Sequence, residues 1–216
     1  MLSRTLYKEF KNQIHMKKLD LKNQDEIKGK ILERLDIIQS SVALVPYIEK
    51  SADAIIKCLR KGNKIILFGN GGSAADAQHI AAELIGKFNL KRKSLPAIAL
   101  TSNSSTITAL SNDFSFETVF SRQCESLISK GDVSIGISTS GNSQNVTKAI
   151  ITSKKMGATT IALLGNKGGQ LKKYADIPII VNSSSTPFIQ EIHRIIYHII
   201  CEIVEKEITK STKKYR

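Results

Sequence analysis

Five short apolar runs, each closing on a loop of small or polar residues, constrain this chain more than any other feature. They lie at 64–68, 97–100, 133–137, 159–164 and 177–181. Runs this short and this continuously apolar are the pattern of parallel strands buried on both faces. Helical patterns separate them, 146–156 among them, and the alternation implies an open parallel sheet with helices on both faces, an α/β fold. Two amphipathic stretches precede the first run. Ile27, Ile31, Leu32, Leu35 and Ile38 recur at helical spacing over 25–42. Ile48, Ala52, Ile55, Ile56 and Leu59 do so after Pro46, and that helix should stop at Gly62. They form a helical preface whose apolar faces need a partner. A long amphipathic helix is expected over 188–208. With 216 residues the chain is long enough for one domain with a substantial core. That domain is expected over 25–216, including helices at 25–61, behind a polar, basic extension at 1–24.

The formal net charge of +13, from 32 basic and 19 acidic residues, raises the question of nucleic acid. Much of the excess is peripheral. Eight Lys and Arg fall in the first 30 residues, and Lys206, Lys210, Lys213, Lys214 and Arg216 close the chain. A third cluster, Lys91-Arg92-Lys93, sits in a loop. No aromatic-rich basic stretch accompanies them, so the charge is read as a solvated surface that helps draw in anionic substrates, with no nucleic-acid partner. No apolar run reaches the roughly 18 residues of a membrane helix, and the charged first residues do not resemble a secretory signal. Cys58, Cys124 and Cys201 are isolated and odd in number, which suits buried apolar residues in a reducing compartment. A cytoplasmic protein with no membrane partner is expected.

Ligands of such sheets sit beyond the carboxyl ends of the strands, so the loops there are informative. The first run leads into Gly69-Asn70-Gly71-Gly72-Ser73 and a helix beginning near Ala74. Glycines let backbone approach a ligand, and a helix N-terminus offers N–H groups to an anion, although many such loops are only turns. The spacing matches neither the dinucleotide fingerprint nor a P-loop. The third run leads into Ser138-Thr139-Ser140-Gly141-Asn142-Ser143 and a helix beginning near Gln144. Serine caps helices, but one cap needs one hydroxyl, and the surplus favours a phosphate site. Asn112-Asp113, beyond the second run, has the composition of a turn, with a ligand role as the other reading.

The helix after the glycine loop carries His79 and Glu83 at i and i+4, on one face. Nitrogen and carboxylate donors in that arrangement suit a metal such as zinc, and equally a surface hydrogen bond. The last helix carries Gln190, His193 and His198 among apolar neighbours, where a histidine is as readily a core residue as a ligand. Three of the chain's four histidines thus lie on two helices that start beside the same loops.

In these motifs the chain resembles the phosphoheptose isomerases of the SIS (sugar isomerase) group. The resemblance runs from about Asp25 to Glu205. It is dense over 69–79 with Ala82-Glu83, and continues in Asn112-Asp113-Phe114, in Phe120-Ser121-Arg122-Gln123, over 136–143, and in Ile189-Gln190-Glu191-Ile192-His193 with His198. It implies a flavodoxin-like five-stranded parallel sheet and conversion of sedoheptulose 7-phosphate to D-glycero-D-manno-heptose 7-phosphate through an enediol, feeding bacterial surface glycans. It implies a phosphate cradle at Ser73, Ser138, Thr139, Ser140 and Ser143, and sugar contacts at Asn70, Gly71, Gly72, Asn112 and Asp113. Through the same resemblance one zinc ion is expected on His79, Glu83, Gln190 and His198, with Glu83 and His198 as the acid–base pair, in a homotetramer. Relatives that bind the bacterial replication initiator without catalysis typically lose the late histidine, which is present here. SIS enzymes of other phosphosugars are a further alternative. Phe188, Asn103 and Ser111 depart from the residues usual in the family, Arg, Asp and Gly. Gln190 and His198 lie eight residues apart, about 12 Å along a straight helix. Either that helix bends or a neighbouring subunit supplies one ligand.

Overall fold

A computed structural model describes residues 22–213, with side chains for 24–210. The expected extension at 1–24 therefore lies almost wholly outside the described residues. The chain divides into two compact units, Met1–Gln39 and Ser40–Arg216. Nearly all of the described part of the first unit is helix α1, Lys22–Ser40, on which Ile27, Ile31 and Ile38 are exposed.

The second unit opens with α2, Val45–Arg60, which starts with Pro46 in its first turn. There the missing N–H costs nothing. The helix ends just before Gly62, whose φ of 78° only glycine adopts freely. Then strand and helix alternate: β1 Ile65–Gly69, α3 Gly72–Ile85, β2 Ala97–Ala99, α4 Ser104–Asp113, α5 Val119–Leu127, β3 Val133–Ser138, α6 Gln144–Lys155, β4 Thr159–Leu164, β5 Ile177–Ile180 and α7 Thr186–Lys213. The five strands are all parallel in the order β2-β1-β3-β4-β5. That is the flavodoxin-like order expected. β1, β3 and all but the first residue of β4 are buried, as a sheet covered on both faces requires.

Alternate residues of β1 serve the two faces. Ile66 and Phe68 pack with Val119, Phe120, Val146 and Ile150 of α5 and α6. On the other face Ile135, Ile161 and Leu163 meet Ile55 of α2, Ile80 and Leu84 of α3, and Tyr197, Ile200 and Val204 of α7. Helices α3 and α7 are thus neighbours on one face and run in the same direction. Gly72 meets Gln190, Asp76 meets Arg194, and His79 meets Tyr197 and His198. The segment after β2, expected as a loop, holds α4, and Asn112-Asp113 forms its last two residues.

Candidate active site

The order β2-β1-β3 means the chain leaves β1 to one side for β2 and returns on the other for β3. The crevice of such a sheet opens at that reversal, above β1 and β3, where the glycine and serine loops lie. Asn70 and Asn145 tie the two loops together by exchanging amide hydrogen bonds, both 2.9 Å long. Gly71 takes φ 54° and ψ −120°, leaving the N-terminus of α3 without a side-chain cap. Ser73 is buried with its Cβ under Gly69, so Gly71 and Gly72 form the exposed face of this loop. A cavity of about 270 Å³ opens beside it, lined by Asn70, Gly71, Thr101, Ser104 and Thr108. Asn112 and Asp113 are exposed, bonded to each other at 2.9 Å, and do not line that cavity.

In the serine loop Ser143 precedes α6 but does not cap it with its side chain. Its hydroxyl instead faces that of Ser138 at 3.0 Å, with Ser140 Oγ 3.5 Å from Ser138. The hydroxyls converge on one another at a helix N-terminus, the arrangement of neutral donors around an anion. Gly141 has φ 66° and no room for a Cβ against the backbone of Gly168 and Gly169. Thr139 turns its carbonyl towards Gly165.

Two turns down α3, His79 Nε2 lies 3.0 Å from Glu83 Oε1. The His198 ring of α7 stands edge-on to His79 at 5.1 Å between centroids. One ligand atom from each of His79, Glu83 and His198 lies within 4.8 Å of the others. Two imidazoles and a carboxylate at this separation fit a zinc-like divalent ion. Burial, helped by the neighbouring His79 ring, lowers the His198 value below that of ordinary histidine. His193 is a core residue. It is fully buried, its Nε2–H donates to the Leu164 carbonyl at 3.1 Å, and burial pushes its value down to about 4.

Gln190 does not join the other three within one chain. Its carboxamide covers Gly72 at the start of α3, and His79 lies seven residues, about 10 Å, further along. Helix α7 runs unbroken from Thr186 to Lys213.

Residues 17–165 match the model of the SIS domain. A phosphoheptose isomerase of Clostridium acetobutylicum is 50% identical over 188 residues, covering 87% of this chain and 92% of that protein. One of Sulfurimonas denitrificans is 49% identical over 191 residues, 88% of this chain and 94% of that protein. This chain belongs to the phosphoheptose isomerase family. Among solved structures, phosphoheptose isomerases of Neisseria gonorrhoeae and Francisella tularensis superpose with TM-scores of 0.80 and 0.83, at 37% and 34% identity. They cover 85% and 86% of this chain and 98% and 100% of their own.

Sequence reasoning missed the surroundings of His79. The Tyr197 hydroxyl lies 3.0 Å from His79 Nδ1, and Asp76 and Arg194 complete a polar cluster around it. The spacing of Asp76 one turn before His79 was the available signal. Of the three departures from the family pattern, Asn103 caps α4 by accepting from Thr106 N at 3.0 Å, as an aspartate would. The Ser111 hydroxyl is buried without a partner among the described residues. Phe188 lies half-buried in the first turn of α7.

Proposed function

We propose that the chain isomerises sedoheptulose 7-phosphate to D-glycero-D-manno-heptose 7-phosphate. The observation that carries this reading is the meeting of Glu83 with His79 and His198 on a chain half identical to a phosphoheptose isomerase. Ser138, Ser140, Ser143, Ser73 and Thr139 hold the phosphate with the N-termini of α3 and α6, and Asn70, Gly71, Gly72, Asn112 and Asp113 contact the sugar. The separation of about 10 Å along α3 between these loops and the triad suits an extended seven-carbon phosphosugar. A phosphate grip at one end fixes the reacting carbons at the other.

Moving the carbonyl from C2 to C1 requires a proton to leave C1 and one to arrive at C2. Glu83 performs both transfers through the oxygen not turned towards His79. His198 exchanges protons with the two substrate oxygens as the enediol forms and collapses. His79, Glu83 and His198 are the residues that would hold a zinc ion, which would supply Lewis-acid chemistry there. Gln190 completes the ligand set from a second copy of the chain in a homotetramer. The exposed Ile195 and Ile199, which flank His198 on α7, support an interface there. The three free, buried cysteines suit a cytoplasmic setting, and no helix among the described residues is long and apolar enough to cross a membrane.

The test is incubation of the purified protein with sedoheptulose 7-phosphate before and after removal of metal by a chelator. Aldose product is expected, lost with the metal and restored by zinc. No turnover in zinc-saturated protein would overturn the substrate assignment, and full turnover in metal-free protein would overturn the role of zinc.

A further inference from the structure

We propose that Tyr197 is a positioning residue. Together with Asp76 and Arg194 it keeps a hydrogen on Nδ1 of His79, so that Nε2 presents its lone pair to a divalent cation. The inference rests on the metal reading above and concerns groups that reading does not use. A phenol oxygen has one hydrogen to give and two lone pairs to receive. Three groups surround that of Tyr197: Arg194 Nε at 3.0 Å, Asp76 Oδ1 at 3.3 Å and His79 Nδ1 at 3.0 Å.

Arginine only donates, so it occupies one lone pair. Asp76 is buried, and its carboxylate, paired with Arg194 Nη2 at 3.1 Å, only accepts. The phenol hydrogen therefore goes to Asp76, and the remaining lone pair must receive an N–H from His79. The opposite choice, O–H to Nδ1, leaves a carboxylate oxygen against a phenol lone pair on two buried residues. That arrangement costs free energy. With the hydrogen held on Nδ1, Nε2 faces Glu83 Oε1 at 3.0 Å with His198 beside both. These are electron-pair donors pointed at one place, and a cation between them relieves their repulsion. A ligating histidine oriented by an acceptor on its other nitrogen is the usual way an outer shell tunes a metal site.

Tyr197 is also packed edge-on to His198, at 4.7 Å between ring centroids. Tyr197→Phe keeps that packing and removes only the hydroxyl. Two measurements test the proposal. In the first, metal-free protein competes for zinc with a chromophoric chelator, and Tyr197→Phe is expected to bind about 10- to 100-fold more weakly than the parent. Equal affinities would overturn the proposal. In the second, nitrogen–proton correlation spectra of the zinc-loaded parent and of zinc-loaded Tyr197→Phe report which nitrogen of His79 carries the hydrogen. Nδ1–H is expected in the parent, with its resonance moved in the variant, and Nε2–H in the parent would overturn the proposal. A parent that binds no zinc sinks the metal reading instead.

Discussion

A Cβ at Gly72 would collide with the carboxamide at the flexible end of Gln190, which would have to give way. The start of α3 and the second turn of α7 are therefore in contact at the edge where the glycine and serine loops lie. Gly72→Ala must push Gln190 away or shift α7. Misplacement of this kind, on the order of 1 Å, costs about 100-fold in rate when it reaches the reacting groups. Steady-state kinetics on the alanine variant should show that loss with the fold intact by circular dichroism, and wild-type rates would mean that Gln190 has no part in the site. At this scale the sequence was informative where chemistry and spacing coincide. His79 and Glu83 stand out at i and i+4, and four hydroxyls in six residues exceed what a cap requires. Tyr197 was hidden because an aromatic in an apolar helix face reads as core, and only the fold brings its hydroxyl to Asp76 and His79.

Helices α3 and α7 are fastened at their far ends by a buried ion pair. Glu205 on α7 accepts the backbone N–H groups of Phe88, Asn89 and Leu90 and the Arg92 Nε–H, at 2.6 to 3.0 Å. Arg92 in turn donates to the carbonyls of Glu83, Leu84 and Gly86, closing the C-terminus of α3. Breaking such a pair by removing one partner leaves a buried charge unpaired, which costs about 3–5 kcal/mol. Arg92→Ala should lower stability by that amount in urea titrations, and a loss below about 1 kcal/mol would show the pair to be solvent-relaxed. Burial alone would raise the Glu205 carboxyl, but the three backbone N–H groups and Arg92 outweigh it and hold its value below the usual carboxylate range. Its stabilisation is therefore complete above the ordinary glutamate value and lost as pH falls through the lowered one. Acid unfolding of Glu205→Gln, weaker from the start, should depend less steeply on pH in that window than that of the parent. The five strands and the helices at 45–60, 144–155 and 186–213 were legible from period and punctuation alone. Helix α4 was not, since Ser104–Asp113 has no buried residue and a sequence rich in serine, threonine and asparagine that also suits a loop.

At the scale of the whole molecule, a formal charge of +13 suits the phosphate site proposed at the crevice, since a positive field raises encounter with an anionic sugar. The exposed Ile195 and Ile199 beside the triad belong to the interface proposed between copies of the chain. Light scattering should report a tetramer, and a fully active monomer with tightly bound zinc would remove the case for a ligand in trans. The open parallel sheet was foreseeable, because alternating buried strands and helices leave few topologies, whereas the strand order came through the family resemblance. Which residues of two separate helices face each other was not, because the register of α3 against α7 is set by packing over the sheet. That register is what brings Glu83 to His198, and proton transfer by this pair is the central claim. Its most direct test is the turnover of sedoheptulose 7-phosphate by zinc-loaded Glu83→Gln and His198→Ala proteins. Losses of about 10²- to 10⁴-fold are predicted for each, and undiminished turnover in either variant would contradict the account.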